Sequence, residues 1–334
     1  MNHSTISNHN NSSKNHSIPY RTPDYDLTDT ASNYKHVIDE EGYHAFTLAL
    51  VTIEDIVKAI LLKDDSVLRH DFQKYFLNVS RLYHFAYRPC YEYSAHVELF
   101  FSCFLSLSSK YENTNDYLSS FRQSDMLHEF IALVYSEGNQ PEFKNKIYRN
   151  KEKSRRNYNR AAEYIDALFN YQDKRLLVLR IDFSYAQEYI SQITVDQAKK
   201  DLEHFLINRR GNHTLFNHWA GYIYKLEWGL QKGIHFHLVI FYKGSKRWKD
   251  VYLAQEIGEY WRSITDGRGI YWNCNADKHS YPDLGIGMVH IDDAEKRQIL
   301  LERVIGYLTK SEQYLRAKKL NKERCFVTGI MPNR

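Results

Sequence analysis

No apolar run in the 334 residues approaches the roughly 18 needed to cross a bilayer. The opening stretch MNHSTISNHNNSSKNHSIPY is polar and lacks the apolar core of a secretory signal. Cysteine is scarce. Cys90, Cys103, Cys274 and Cys325 are scattered, form no C-x-x-C pair, and read as reduced thiols. No G-x-x-x-x-G-K-[ST] occurs, so a P-loop helicase with its nucleotide cofactor is excluded. No internal repeat is present. These absences predict a cytoplasmic protein with no membrane partner and no motor of its own.

What is present suits packed cores. Hydrophobic residues make up 43% and aromatic residues 15%, over a length that allows two domains. The net charge of +4 hides an asymmetry. Residues 1–173 carry 19 Lys and Arg against 23 Asp and Glu, near −4, and residues 174–334 carry 26 against 18, near +8. A basic half points to an anionic partner, nucleic acid first. The 27 tyrosines suit base stacking, and equally a codon bias that raises Asn, Lys, Ile and Tyr together.

Three regions follow from the texture. Residues 1–30 are rich in Asn, Ser, His and Thr and read as a disordered polar tail. Residues 31–170 are mainly helical, with helix-length apolar spacing in TLALVTIEDIVKAILL (47–62), HVELFFSCFLSLSSKY (96–111) and YLSSFRQSDMLHEFIALVY (117–135). The stretch KNKIYRNKEKSRRNYNR (144–160), with eight Lys or Arg, reads as a phosphate-backbone clamp, a solvated helix face or a linker. Residues 171–334 change character. Strands are expected at 174–185, 221–229, 233–242, 270–274, 286–291 and 324–330, and helices at 194–210, 250–267 and 293–314, with Thr194 as an N-cap. That order predicts an α+β domain, an antiparallel sheet with helices packed on it, related to the split βαβ pattern.

Two histidines stand inside the apolar strand GIHFHLVIFY (233–242). His235 and His237 are two residues apart and therefore share a face, where each buried imidazole needs a partner. Three residues, Leu230, Gln231 and Lys232, join this strand to GYIYKLEWG (221–229), which places Glu227 directly opposite His235. Two imidazoles and a carboxylate on one patch suit a divalent metal with open positions. In the last helix, Leu301, Val304, Ile305 and Leu308 form an apolar stripe, and Arg303, Tyr307, Lys310 and Tyr314 cluster beside it. Tyr307 and Lys310 are neighbours at i and i+3, where the cation favours a phenolate or holds a phosphate. The two elements together suggest a reaction in which a metal-polarised phosphodiester is attacked by the Tyr307 hydroxyl, with Lys310 stabilising charge on the phosphate.

The residues also carry a resemblance. His235-Phe236-His237 and Tyr307-Leu308-Thr309-Lys310 resemble the metal motif and the single-tyrosine Y-x-x-K motif of the HUH endonucleases, the superfamily of replication initiators, relaxases and transposases. LLVLRIDFSY (176–185) stands where that family has its first motif, with Asp182 a minor candidate for metal or DNA contact. EWGLQKGIHFHLVIF and VIGYLTK are most similar to the filamentous-phage replication initiators and their bacterial relatives of the YagK/YfjJ type, over about residues 171–334. The resemblance implies a ferredoxin- or RRM-like catalytic sheet, Mg²⁺ or Mn²⁺ at Glu227, His235 and His237, and a 5′-phosphotyrosyl link with a free 3′-OH that primes rolling-circle replication. It implies single-stranded origin DNA as substrate in a bacterial cytoplasm, with host helicase and polymerase as partners. Tyr314 stands too far from Tyr307 for the second tyrosine of two-tyrosine members. Alternative readings are a transposase or relaxase, a non-catalytic RRM-like nucleic-acid-binding module, and a zinc hydrolase with water as nucleophile.

Overall fold

The computed structural model describes residues 40–63, 87, 91–111, 120–208, 211–229, 232–310, 315–317 and 324–332. The expected polar tail, Leu230 and Gln231 of the hairpin loop, Cys90 and Tyr314 lie outside the described residues.

Three helices open the described chain: α1 (Glu40–Leu62), α2 (Ala95–Tyr111) and α3 (Ser120–Gly138). Each buries apolar residues at helical spacing. Ile53 and Val57, Phe100 and Phe104, and Phe130 and Val134 are i, i+4 pairs that meet in one core. A short strand β1 (Tyr91–Tyr93) enters α2 and adds Tyr93 to that core.

The basic stretch is part of a helix. In α4 (Pro141–Tyr171), Pro141 opens the first turn, where its missing N–H costs nothing. The lysine- and arginine-rich part is mostly exposed, and only the last third carries an apolar stripe, Ala161, Tyr164, Ile165, Leu168 and Phe169.

That stripe packs on an antiparallel sheet. Its strands are β2 (Arg175–Tyr185), β3 (Trp219–Gly229), β4 (Gly233–Lys243), β5 (Gly269–Asn273), β6 (Gly287–His290) and, past β7 (Leu315–Ala317), β8 (Phe326–Thr328). The order is β5-β2-β4-β3-β8, with β6 also on β2, and β7 pairs with β1 instead. The fold is therefore mixed α+β, as the element order suggests, with an antiparallel sheet of six strands.

Helices cover both faces of this sheet. On one face α5 (Val195–Asn208) and α7 (Asp250–Ile264) bury Phe205 and Trp261 against Phe183 and Phe236. On the other, α4 and the last helix bury Phe169, Ile305 and Leu308 against Val178, Val239 and Phe241. A strand covered on both sides reads as a continuous apolar run, which is why β4 shows no alternation. Thr194 caps α5 as expected, accepting from the Gln197 N–H at 3.1 Å. Between α5 and β3 lies a single helical turn, α6 (His213–Phe216). No described helix is long and apolar enough to cross a membrane.

The last helix, α8, departs from expectation. It spans 294–309, capped by Asp293, and it stops before Lys310, whose backbone is extended (φ −52°, ψ 135°). Its middle, Leu300–Ile305, is a wide π-type turn. The wider turn rotates the stripe, so the buried set is Leu300, Val304, Ile305 and Leu308, with Leu301 only half-buried.

Candidate metal centre

The face under α4 and α8 is apolar along most of its length and becomes polar at one end. Leu176 and Val178 on β2, Ile223 on β3, and Phe241 and Val239 on β4 belong to the core. Continuing the same alternation gives Arg180 and Asp182, Lys225 and Glu227, and His237 and His235. Asp182 pairs with His237 across one side of β4, and Lys225 pairs with His237 across the other. Glu227 pairs with His235, the register expected from the three-residue loop. Gly233 closes that loop at φ +57°, where a Cβ would lie 2.6 Å from Ile190.

Each imidazole is held by one nitrogen and aims the other at Glu227. His235 Nδ1 is 3.1 Å from the Gly233 carbonyl, which can only accept, so Nδ1 carries the proton. Its Nε2 then faces Glu227 Oε2 at 3.6 Å. His237 Nδ1 lies 2.9 Å from Asp182 Oδ1, in contact but off the line of a good hydrogen bond, and its Nε2 is 3.2 Å from the same Glu227 oxygen. Ligand atoms of Glu227, His235 and His237 all lie within 4.8 Å of one another. The two histidines are only 7% and 4% exposed. Two ring nitrogens converging on one carboxylate oxygen are a donor set for a cation, and a carbonyl or carboxylate behind each ring is the usual support of a metal-ligating histidine. The group can hold a metal ion.

The electrostatics agree with that reading. Burial would raise the Glu227 carboxyl, but both imidazoles and the Lys225 ammonium, 2.5 Å from Oε1, hold it well below the usual carboxylate range. Burial likewise works to raise Asp182, yet His237 and Arg180 bring it below its ordinary value. His237 itself is lowered by burial and raised more by Asp182 and Glu227, for a net rise. The cluster thus concentrates negative charge on two carboxylates and compensates it with protons and Lys225, which a dication can replace.

Tyr307 is delivered to this cluster by α8. Its ring stands edge-on to the His237 ring, 5.5 Å between centroids and 85° between planes. The cation over its face is Arg180, whose guanidinium carbon is 4.7 Å from the ring centroid. Burial and the Glu227 charge raise the phenol above its ordinary value despite Arg180. Lys310 stands just past the end of α8 with an exposed side chain, and its carbonyl accepts from Lys225 Nζ at 3.3 Å.

Sequence reasoning ranked Asp182 low and did not single out Arg180 or Lys225. The signal was available for Lys225, which precedes Glu227 by two on a strand and so shares its face. Arg180 and Asp182 needed the pairing of β2 with β4, which joins segments far apart in the chain. Beyond them on the same face, edge strand β5 presents Ile270 and Trp272, with Trp272 directly opposite Asp182 and 59% exposed.

Compared with known families, residues 138–329 match the YagK/YfjJ C-terminal domain. The match takes in α4, the whole sheet and α8, with every residue of the candidate centre. No curated protein and no solved structure matches the chain.

Proposed function

The chain belongs to the YagK/YfjJ C-terminal domain family, and on that footing we propose that it is a replication initiator of the HUH endonuclease type, nicking single-stranded origin DNA by tyrosine transesterification. One observation carries the reading: an edge-on tyrosine, Tyr307, against a ligating face of two histidines and a glutamate. Tyr307 is 41% exposed, so the side chain that meets the histidines is also open to an incoming strand.

Tyr307 Oη forms the bond to phosphorus as the P–O3′ bond breaks, and the phenolic proton passes through solvent to the leaving 3′ oxygen. The product is a 5′-phosphotyrosyl protein and a 3′-OH for a host polymerase to extend, with unwinding supplied by a host helicase. One phosphoester replaces another, so the step runs in reverse to rejoin the strand. Glu227, His235 and His237 would hold Mg²⁺ or Mn²⁺, which would supply Lewis-acid polarisation of the phosphate and offset the carboxylate charge that raises the phenol. Arg180 holds the ring in place, and Lys310 is positioned to meet phosphate charge as the strand arrives. Exposed Ile270 and Trp272, on the same face, offer a surface for unpaired bases.

The test is covalent trapping. Protein and its Tyr307→Phe variant are incubated with a pool of end-labelled single-stranded DNA covering the element that encodes the chain, with Mn²⁺ or with EDTA, and resolved on a denaturing gel. The expected result is a metal-dependent protein–DNA band absent from the Phe variant. Cleavage without an adduct identifies water as the nucleophile, and binding without cleavage identifies a non-catalytic module; either outcome overturns the proposal.

A further inference from the structure

A cleft of ≈ 910 Å³ opens beside the centre, between the N-terminal helices and the sheet. Its lining includes nine Lys or Arg and only two carboxylates, Glu54 and Glu92. Three of the nine have carboxylate partners, Lys58 with Glu54, Lys146 with Glu98 and Lys225 with Glu227, which leaves six. Lys144, Lys151, Lys153 and Arg160 are exposed, as are Lys310 and Arg324 across the cleft, and none of the six has a carboxylate partner among the described residues.

The cations are ordered along α4. Lys146, Lys153 and Arg160 recur every seven residues, close to two helical turns, and form one row. Lys144 and Lys151 form a second row about half a turn around the helix, and the cleft-lining Ile147, Asn150 and Ser154 lie between the two. From 146 to 160 the longer row extends about 21 Å at 1.5 Å per residue, which suits a string of phosphates rather than one small anion. Tyr148, 63% exposed, also lines the cleft and presents a ring to which an unpaired base can stack. At the other end the cleft reaches Lys225, whose ammonium touches both Glu227 and the Lys310 carbonyl. Ser154 of α4 donates to the Thr309 carbonyl, so the helix bearing the row is fastened to the segment bearing Tyr307.

We propose that this cleft is the track of a single-stranded DNA segment, with the α4 cations binding the backbone of the strand that leads to Tyr307. It rests on the nicking reading for its ligand, and it assigns the N-terminal helices a task, that of closing the far wall of the track.

The test uses the full-length chain in EDTA, where no strand is cut, and a fluorescein-labelled oligothymidylate followed by anisotropy over a salt series. A Lys151→Ala/Lys153→Ala/Arg160→Ala variant loses three phosphate contacts, so the slope of log affinity against log salt should fall by about 2, from roughly 0.7 per contact for a single strand. An Arg149→Ala/Arg155→Ala/Arg156→Ala variant removes equal charge from the same helix outside the cleft, and its slope should stay near that of the wild type. Equal slopes for the two variants, or no change in the first, overturn the proposal. Trapping of the Tyr307 adduct, run in parallel, separates the two readings. An adduct with an unaltered salt slope removes the track and leaves the nicking site standing. A lowered slope without any adduct in the wild type removes the nicking reading and leaves a strand-binding cleft.

Discussion

Metal binding at Glu227, His235 and His237 can be tested without DNA, through the stability of the fold. An ion that binds only the folded chain stabilises it by RT ln(1 + [M]/Kd), about 2.7 kcal/mol at one hundred times Kd. For a domain of this size each kcal/mol moves the melting temperature by about 2–4 °C, so Mn²⁺ at that excess should raise it by about 5–11 °C. His237→Gln is the informative change. His237 is 4% exposed and wedged between Asp182 and Glu227, so no other described side chain can take over its Nε2 position. Loss of one of three protein ligands weakens the site by about 100-fold or more, on the order of the largest effects seen for merely supporting groups. At the same Mn²⁺ concentration the stabilisation then drops to about 0.4 kcal/mol, or about 1–2 °C. The assay is a thermal melt of each protein with and without Mn²⁺ and after EDTA, each variant compared with its own metal-free melt. A wild-type shift that survives intact in His237→Gln would refute the assignment, and so would the lack of a shift with Mn²⁺, Mg²⁺ and Zn²⁺ alike.

Three further outcomes are expected. The raised pKa of His237 means that its charged form stabilises the metal-free fold fully below the imidazole's ordinary value of about 6.5, a contribution lost as pH rises through the raised value. Metal needs the neutral ring, so the Mn²⁺-induced melting shift should be large at pH about 8.5 and fade as pH falls through the raised value, while Glu227 stays ionised; a shift constant down to pH about 5 would contradict this. Trp272→Ala should weaken oligothymidylate binding by about 1–3 kcal/mol, the usual worth of one base–aromatic stack, and leave the metal shift unchanged, and an anisotropy titration equal to wild type would remove Trp272 from the strand-binding face. Gly233→Ala forces a side chain into a positive-φ position 2.6 Å from Ile190, so urea unfolding should show a loss of at least about 1–2 kcal/mol, and the metal shift should fall because the carbonyl that holds His235 moves; unaltered stability would mean that the hairpin turn relaxes freely.

Much of this centre is local in origin, and local features are legible in a sequence. A three-residue loop between Gly229 and Gly233 sets the hairpin register, and the two-residue period of a strand then places Glu227 opposite His235 with His237 on the same face. The strands and helices of the C-terminal region follow from their periods and caps, Thr194 and Asp293 among them. What joins these pieces is non-local. Arg180 and Asp182 reach the histidines because β2 inserts beside β4 in the sheet, and a pairing between distant segments leaves no mark in either one. The position of Tyr307 depends on a π-type turn at Leu300–Ile305, which shifts the helix phase that a straight 100° wheel assumes and ends the helix before Lys310. The basic run at 144–160 could be counted from its letters. Only the packing of α4 on the sheet, with α1 and α2 across from it, turned that charge into the lining of a cleft, because a groove exists only between surfaces that the chain brings together from far apart.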